Sequence, residues 1–224
     1  MQPWIELSQA RTAAGDTLVL RQRGGIFEIR CNGWDLMSNR AHHSEETAAA
    51  LACAPLTAPA PRVLIGGLGM GYTLRAALDR LPATARVIVA ELLPAVIAWN
   101  RGPLAPLAGH PLDDPRVAVM CGDVAVVLEQ ADRFDAIVLD ADNGPDAVML
   151  AGNQRLYSCE GLRVARQRLC PGGTLAVWSA DRSPGFERRL AATGFEWRST
   201  DVPARGDPAD PHHIIYLASA APDR

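Results

Sequence analysis

Four strand-like ends of this chain carry residues suited to holding a small molecule. They are Gly67-x-Gly69-x-Gly71 after "RVLIG", Glu91 closing "RVIVAE", Asp123 closing "RVAVMCGD", and Asp140 closing "FDAIVLD" with Asp142 two residues on. A turn of alternating glycines lets the backbone pass close beneath a ligand and tolerates positive φ angles that a Cβ opposes. The dinucleotide pattern G-x-G-x-x-G fails, because counting from Gly67 its last position is Tyr72, and no G-K-[ST] follows to make a phosphate-cradling loop. What remains is a turn for a ligand that has a nucleoside but no phosphates. In that setting Glu91 suits both ribose hydroxyls, Asp123 the exocyclic amine of adenine, and Asp140 with Asp142 the far end of the ligand. Each also has a structural use, since Glu91 stands ahead of a Pro94 helix start and Asp123 is a good helix N-cap. The ordered set of Gly, Glu, Asp and Asp is more specific than any member.

Bringing four strand ends to one place requires a parallel sheet. From residue 62 the pattern alternates strand and helix, with continuous Val/Ile/Leu/Ala strands that read as buried on both faces, which predicts α/β architecture. Ligands of such sheets collect outside the C-terminal strand ends, where the glycine turn lies. "FEWRSTDV" and "HHIIYLA", flanking a Pro/Gly/Asp-rich loop at 203–211, predict an antiparallel pair at the sheet's end. Ahead of this, "TLVLRQR", "GIFEIRC" and "NGWDLM" predict a small antiparallel sheet, and "HSEETAAALACAPL" a helix capped by Ser44 with Thr47 three positions on. The expected division is 1–54 for a small N-terminal β-domain plus helix and 61–224 for the main domain, joined by the proline-rich "TAPAPR".

Composition narrows the partners. The chain has 224 residues, 48% of them hydrophobic, and a formal net charge of −3, enough for a large core and without a basic stripe for nucleic acid or anionic lipid. No apolar run reaches the ~20 residues of a membrane span, and the N-terminus lacks a basic start followed by an apolar segment, so a cytoplasmic enzyme is expected. Five widely spaced cysteines without C-x-x-C read as small core residues, and the adjacent pairs His42-His43 and His212-His213 lack metal-ligand geometry, so no metal is expected.

With these residues in place, the chain resembles the spermidine synthase (polyamine aminopropyltransferase) family of class I S-adenosylmethionine-dependent transferases. The likeness runs through "NGWDLMSNRAHHSEE", "VLIGGLGMG", "VAELLPAVI", "DDPRVAVMCGDVAVVL", "FDAIVLDADNGP" and "LYSCEGLRVARQRLCPGGTLAVW". It implies a Rossmann-like seven-stranded sheet of the S-adenosylmethionine-dependent methyltransferase type behind a small N-terminal antiparallel β-domain. It also implies S-adenosylmethionine or its decarboxylated form as ligand, and a homodimer. The chain departs from the family in the amine-handling half of the site. Gly69 replaces the Asp of the family's G-G-G-D-G-G turn, Asn143 replaces the second Asp of D-S-S-D-P, and Leu36 falls where the family has glutamine.

Loss of a carboxylate opposite the cofactor's tail removes a repulsion against intact S-adenosylmethionine. The first reading is therefore methyl transfer to a small-molecule acceptor of unknown identity, with Asp140 and Asp142 as catalytic residues and Gly67, Gly69, Gly71, Glu91, Asp123 and Asp140 binding the cofactor. The alternative is polyamine aminopropyl transfer, with Asp142, Asp146, Glu45 or Glu46 replacing the missing carboxylates or else serving as solvated charges. A third reading is a non-catalytic nucleoside- or partner-binding protein. Tyr157 and His42 or His43 are candidates for an acceptor pocket, Trp34, Trp99 and Trp178 for pocket walls or core anchors, and 100–115 for a lid or a connector.

Overall fold

The computed structural model describes residues 2–141, 143–146 and 151–220. The N-terminal part is a four-stranded antiparallel meander of β1 (Ile5–Arg11), β2 (Thr17–Arg23), β3 (Ile26–Cys31) and β4 (Trp34–Ser38). β1, which the sequence pattern does not announce, pairs along β2 and breaks register between Glu6 and Ser8. Leu18, Leu20 and Ile29 alternate inward from this sheet and join the same hydrophobic cluster as Val63 and Ile65 of the main sheet. Glu28, also nearly buried, is held by Arg21 at 2.5 Å and by Arg40 at 3.4 Å.

Next come α1 (His43–Cys53), β5 (Arg62–Gly66), α2 (Tyr72–Leu78), β6 (Arg86–Glu91), α3 (Pro94–Asn100), β7 (Val117–Cys121), α4 (Val124–Gln130) and β8 (Phe134–Leu139). α5 (Cys159–Gln167), β9 (Leu169–Ser179), α6 (Pro184–Ala192), β10 (Phe195–Pro203) and β11 (His212–Ala220) complete the chain. The seven strands are ordered β10-β11-β9-β8-β5-β6-β7, with β11 antiparallel to both of its neighbours, β10 and β9. The chain builds outward from β5 through β6 to β7 and then returns to lay β8 on β5's other side, so the order reverses between β5 and β8. Such a reversal opens a crevice at the C-terminal strand ends. β5 and β8 lie at the centre and are almost wholly buried, which is why their sequences run apolar without alternation.

Local chemistry fixes the helix starts. Asp123, Ser158 and Ser183 each accept a backbone N–H from the first turn of the helix they precede, and Pro94 and Pro184 occupy first-turn positions. α1 differs from expectation: it begins at His43, and Ser44 lies inside its first turn rather than capping it. Ser44 is buried between α1 and the sheet, where its hydroxyl meets Trp178 and His213 instead of the helix backbone. The cysteines also differ, since all five are free thiols but only Cys53 is buried and Cys121 is exposed on edge strand β7. No helix among the described residues is long and apolar enough to cross a membrane.

Candidate active site

A cavity opens at the β8-β5-β6 strand ends, roofed by the N-terminal meander. Its wall includes Gly67, Gly69, Glu91 and Asp140 from the sheet, Leu36 and Met37 from β4, Glu45 from α1, Tyr72 from α2, and Asn143 and Trp178. The three positions at which the chain departs from the resembled family, Leu36, Gly69 and Asn143, therefore share one cavity with Glu91 and Asp140.

The glycine turn is pinned from three sides. Gly67 donates its N–H to the Ala90 carbonyl at 2.9 Å, and Glu91 Oε2 accepts the Leu68 N–H at 2.9 Å while Oε1 accepts that of Leu93 at 2.8 Å. Asn100, buried at the end of α3, donates from Nδ2 to the Gly69 carbonyl at 2.8 Å. At Gly67 an added Cβ would fall on the backbone of Asp140 and Ala141, whereas at Gly69 it would meet nothing closer than Met37 Sδ at 3.7 Å. Gly67 thus brings β5 and β8 together, and Gly69 leaves room in the cavity. Gly71 precedes α2 and packs beside Asn100 and Pro111, under the turn rather than in the cavity.

Glu91 is nearly buried, which raises its carboxyl pKa, while four backbone amides, led by Leu68 and Leu93, pull it back. Oε2 accepts from the turn at Leu68 and Oε1 from Leu93, so the carboxylate that shapes the turn also stands in the cavity wall. Asp140 accepts a 2.6 Å hydrogen bond from Thr73 Oγ1 in the first turn of α2. Burial raises its pKa to about 6, and the Thr73 bond opposes that shift. Glu45 projects into the same space. Its carboxyl is raised well above the ordinary range, first by burial and then by the charges of Asp140 and Glu46. Among the described residues lining this cavity there are three carboxylates and no lysine, arginine or histidine.

Other residues singled out from sequence fall elsewhere. Asp123 Oδ1 accepts the Ala125 N–H at 2.8 Å as the cap of α4, and Oδ2 pairs with Arg155 at 2.9 Å. Asp123 is not among the residues lining the cavity, because its carboxylate is turned to its own helix and that arginine. Asp142 lies outside the described residues. Tyr157 sits in the core on the opposite face of the sheet, edge-on to Phe186. His42 stacks on Tyr72 with ring centroids 3.9 Å apart and bonds Glu46, so it backs the cavity wall. Trp34 is 75% exposed and Trp99 is buried in the core, which leaves Trp178 as the tryptophan of the pocket. Residues 100–115 include two short 3-10 turns, Ala105–Ala108 and Pro111–Asp113, the second of which packs against α2, β7 and the first, and none of these residues lines the cavity. Asp146 is exposed, bonded to the Ser183 hydroxyl and 3.4 Å from Arg189.

Thr73 and Asn100 have no sequence signature of their own. The first is visible only as a hydroxyl one turn after the glycines, and the second only as a polar residue ending an apolar helix. Ser44 is a third case. Indole N–H only donates, so the 3.0 Å contact from Trp178 Nε1 makes the Ser44 oxygen an acceptor and frees its O–H for His213 Nδ1 at 2.7 Å. Burial lowers the His213 pKa, in keeping with a neutral ring that accepts at Nδ1. Ser44→Ala strands both partners, and urea unfolding is expected to show a loss of about 1–3 kcal/mol. A change within a few tenths would mean that water replaces the hydroxyl.

No protein-family model matches the chain. It is 34% identical over 157 residues to the polyamine aminopropyltransferase of Mycobacterium tuberculosis strain H37Rv, covering 68% of this chain and 28% of that protein. It is 32% identical over 182 residues to the polyamine aminopropyltransferase of Corynebacterium efficiens, covering 79% and 34%. The chain thus spans about a third of the length of these curated relatives. In three dimensions it is similar to the crystal structure of spermidine synthase from Thermotoga maritima, with a TM-score of 0.73 and 18% identity, covering 97% of this chain and 73% of that one. The chain is thus similar in sequence to polyamine aminopropyltransferases over part of their length, and it shares the fold of spermidine synthase.

Proposed function

We propose that this chain transfers an aminopropyl group from decarboxylated S-adenosylmethionine to an amine acceptor, the second of the readings drawn from its sequence. One observation carries the choice over methyl transfer: the cavity wall holds Glu45, Glu91 and Asp140 and, among the described residues, no cationic side chain. The methyl donor ends in a carboxylate, which such a wall repels. The decarboxylated donor ends in an ammonium, and a diamine acceptor is also cationic, so both gain from buried carboxylates. The Asp to Gly change at Gly69 does not neutralise the pocket, because Glu45 and Asp140 keep it acidic. The names of the curated relatives support the same reading.

The residues present fit such a donor. Glu91 presents its carboxylate in the cavity wall for a ribose diol, Gly69 leaves the turn open, and Leu92, Leu93, Val96 and Val124 supply apolar contact for a base. Asp123, engaged by α4 and Arg155, keeps its capping role in this reading. Asp140, oriented by Thr73, places negative charge beside the donor's cationic end. The donor's sulfonium supplies an already activated carbon, so the protein's work is to align the amine and accept its proton.

Calorimetric titration of the protein with the two cofactor forms tests the proposal. At least tenfold tighter binding of the decarboxylated form is expected, with spermidine and methylthioadenosine formed when putrescine is added. Tighter binding of intact S-adenosylmethionine, without spermidine formation, would restore methyl transfer.

A further inference from the structure

Aminopropyl transfer requires an ammonium to lose a proton before its nitrogen can attack. Asn143 cannot accept that proton, because an amide is not a useful base. Asp140 is the first alternative, but its Oδ2 is tied to Thr73 and its position suits the donor's charge. Glu45 is different. It reaches the cavity from the first turn of α1, in the same wall as Asn143, Tyr72 and Trp178. Among the described residues no hydrogen-bond donor and no cation pairs with its carboxylate, although its neighbour Glu46 is bonded to His42 and Asp140 to Thr73.

α1 is anchored in a way that fixes this direction. Ser44, one residue before Glu45, is bound to Trp178 of β9 and His213 of β11, and the His43 N–H is held by the Ala204 carbonyl at 3.1 Å. These contacts tie the helix start, immediately before Glu45, to β9, β11 and the end of β10, so Glu45 is presented to the cavity by a rigid support.

Resting on the aminopropyl-transfer reading, we propose that Glu45 is a catalytic residue that binds the acceptor's reacting ammonium and takes its proton, in place of the carboxylate lost at Asn143. The proton passes from acceptor nitrogen to the Glu45 carboxylate, and the freed lone pair attacks the carbon next to the sulfonium. That carbon–sulfur bond breaks with its electrons going to sulfur, leaving a neutral thioether, and the new secondary amine carries the positive charge. No oxidant or reductant enters. Burial and the nearby Asp140 and Glu46 charges raise the Glu45 pKa, which strengthens the carboxylate as a base.

The test compares wild type with Glu45→Gln and Glu45→Asp, using putrescine and decarboxylated S-adenosylmethionine as probes and thermal unfolding as a check on folding. Glu45→Gln is expected to lower kcat about 100-fold, to abolish calorimetric putrescine binding, and to leave donor binding within about threefold of wild type. Glu45→Asp is expected to recover part of kcat. The acidic limb of the rate profile should change in Glu45→Gln, with Asp140 after β8, Glu91 on β6, Tyr72 on α2 and Glu46 on α1 as the other titratable groups around the site. If wild type makes spermidine and Glu45→Gln does so with unchanged kcat and pH limb, Glu45 is not the base while the transfer reading stands. If wild type neither binds putrescine nor makes spermidine, both fall. If Glu45→Gln fails to fold, Glu45→Asp decides: unaltered kcat and pH limb overturn the assignment, and altered ones support it.

Discussion

Gly67→Ala is expected to destabilise the protein by about 4 kcal/mol or more and to abolish cofactor binding. An alanine Cβ there would lie 2.1 Å from the Asp140 carbonyl oxygen, 2.7 Å from its carbon and 2.9 Å from Ala141 Cα. All three atoms are backbone, so no rotamer change relieves the contact. The strands cannot part locally either, because Asp140 N–H donates to the Gly66 carbonyl at 2.8 Å and Gly67 N–H to that of Ala90 at 2.9 Å. The φ of +95° adds its own strain for a residue with a Cβ. Gly69→Ala is the informative contrast. Its Cβ has space, so the fold should lose only about 1 kcal/mol, while the methyl group intrudes on the cavity and weakens the donor's binding. Urea unfolding separates the two, and a Gly67→Ala protein within 1 kcal/mol of wild type would show that the β5–β8 approach relaxes.

Asp140→Asn is expected to cut turnover about 10²–10³-fold while making the apoprotein more stable at pH 8. The sign follows from the raised pKa. With a folded-state value of about 6 against an ordinary 3.8, the folded protein holds more protons than the unfolded chain between those values. Ionised Asp140 therefore opposes folding increasingly as pH rises through that window, and fully above it. The amide carries no such cost and still offers Thr73 an acceptor oxygen. Stabilisation on the order of 2 kcal/mol is expected at pH 8, shrinking to nothing near pH 4. Chemical denaturation of both proteins at pH 4, 6 and 8 reads this directly. A variant that is less stable at pH 8 would show that the carboxylate is structural, and one with unchanged turnover would remove it from the reaction. Opposed effects on stability and turnover mark a charge kept for its ligand rather than its fold.

Much of the architecture was legible from residue types. Uninterrupted apolar strands followed by helices imply buried parallel pairing, and that pairing carries the glycine turn, Glu91 and Asp140 to one edge of the sheet. Glu91 and Asp140 could be recognised because a carboxylate at a buried strand end is costly unless something uses it. Asp123 shows the limit of that argument. The same residue type at the same kind of position satisfies a helix N-terminus, and only the Arg155 contact and its direction distinguish the two uses.

The charge of the pocket was beyond the sequence pattern. Reading Gly69 and Asn143 as lost carboxylates points to a neutralised site and to methyl transfer. In the folded chain a residue from the first turn of α1, far away in sequence, restores the charge next to Asp140. Helical periodicity gives Glu45 and Glu46 similar standing, yet one lines the cavity and the other pairs with His42. What decides between them is where α1 is anchored, through the Ser44 contacts to Trp178 and His213, 134 and 169 residues away in the chain. The sequence by itself determined the parallel sheet and the glycine turn at its strand ends, because these follow from local spacing and from apolar runs. Tertiary structure alone decided which carboxylates share the cavity, because electrostatic surroundings depend on distances between residues that no local pattern relates.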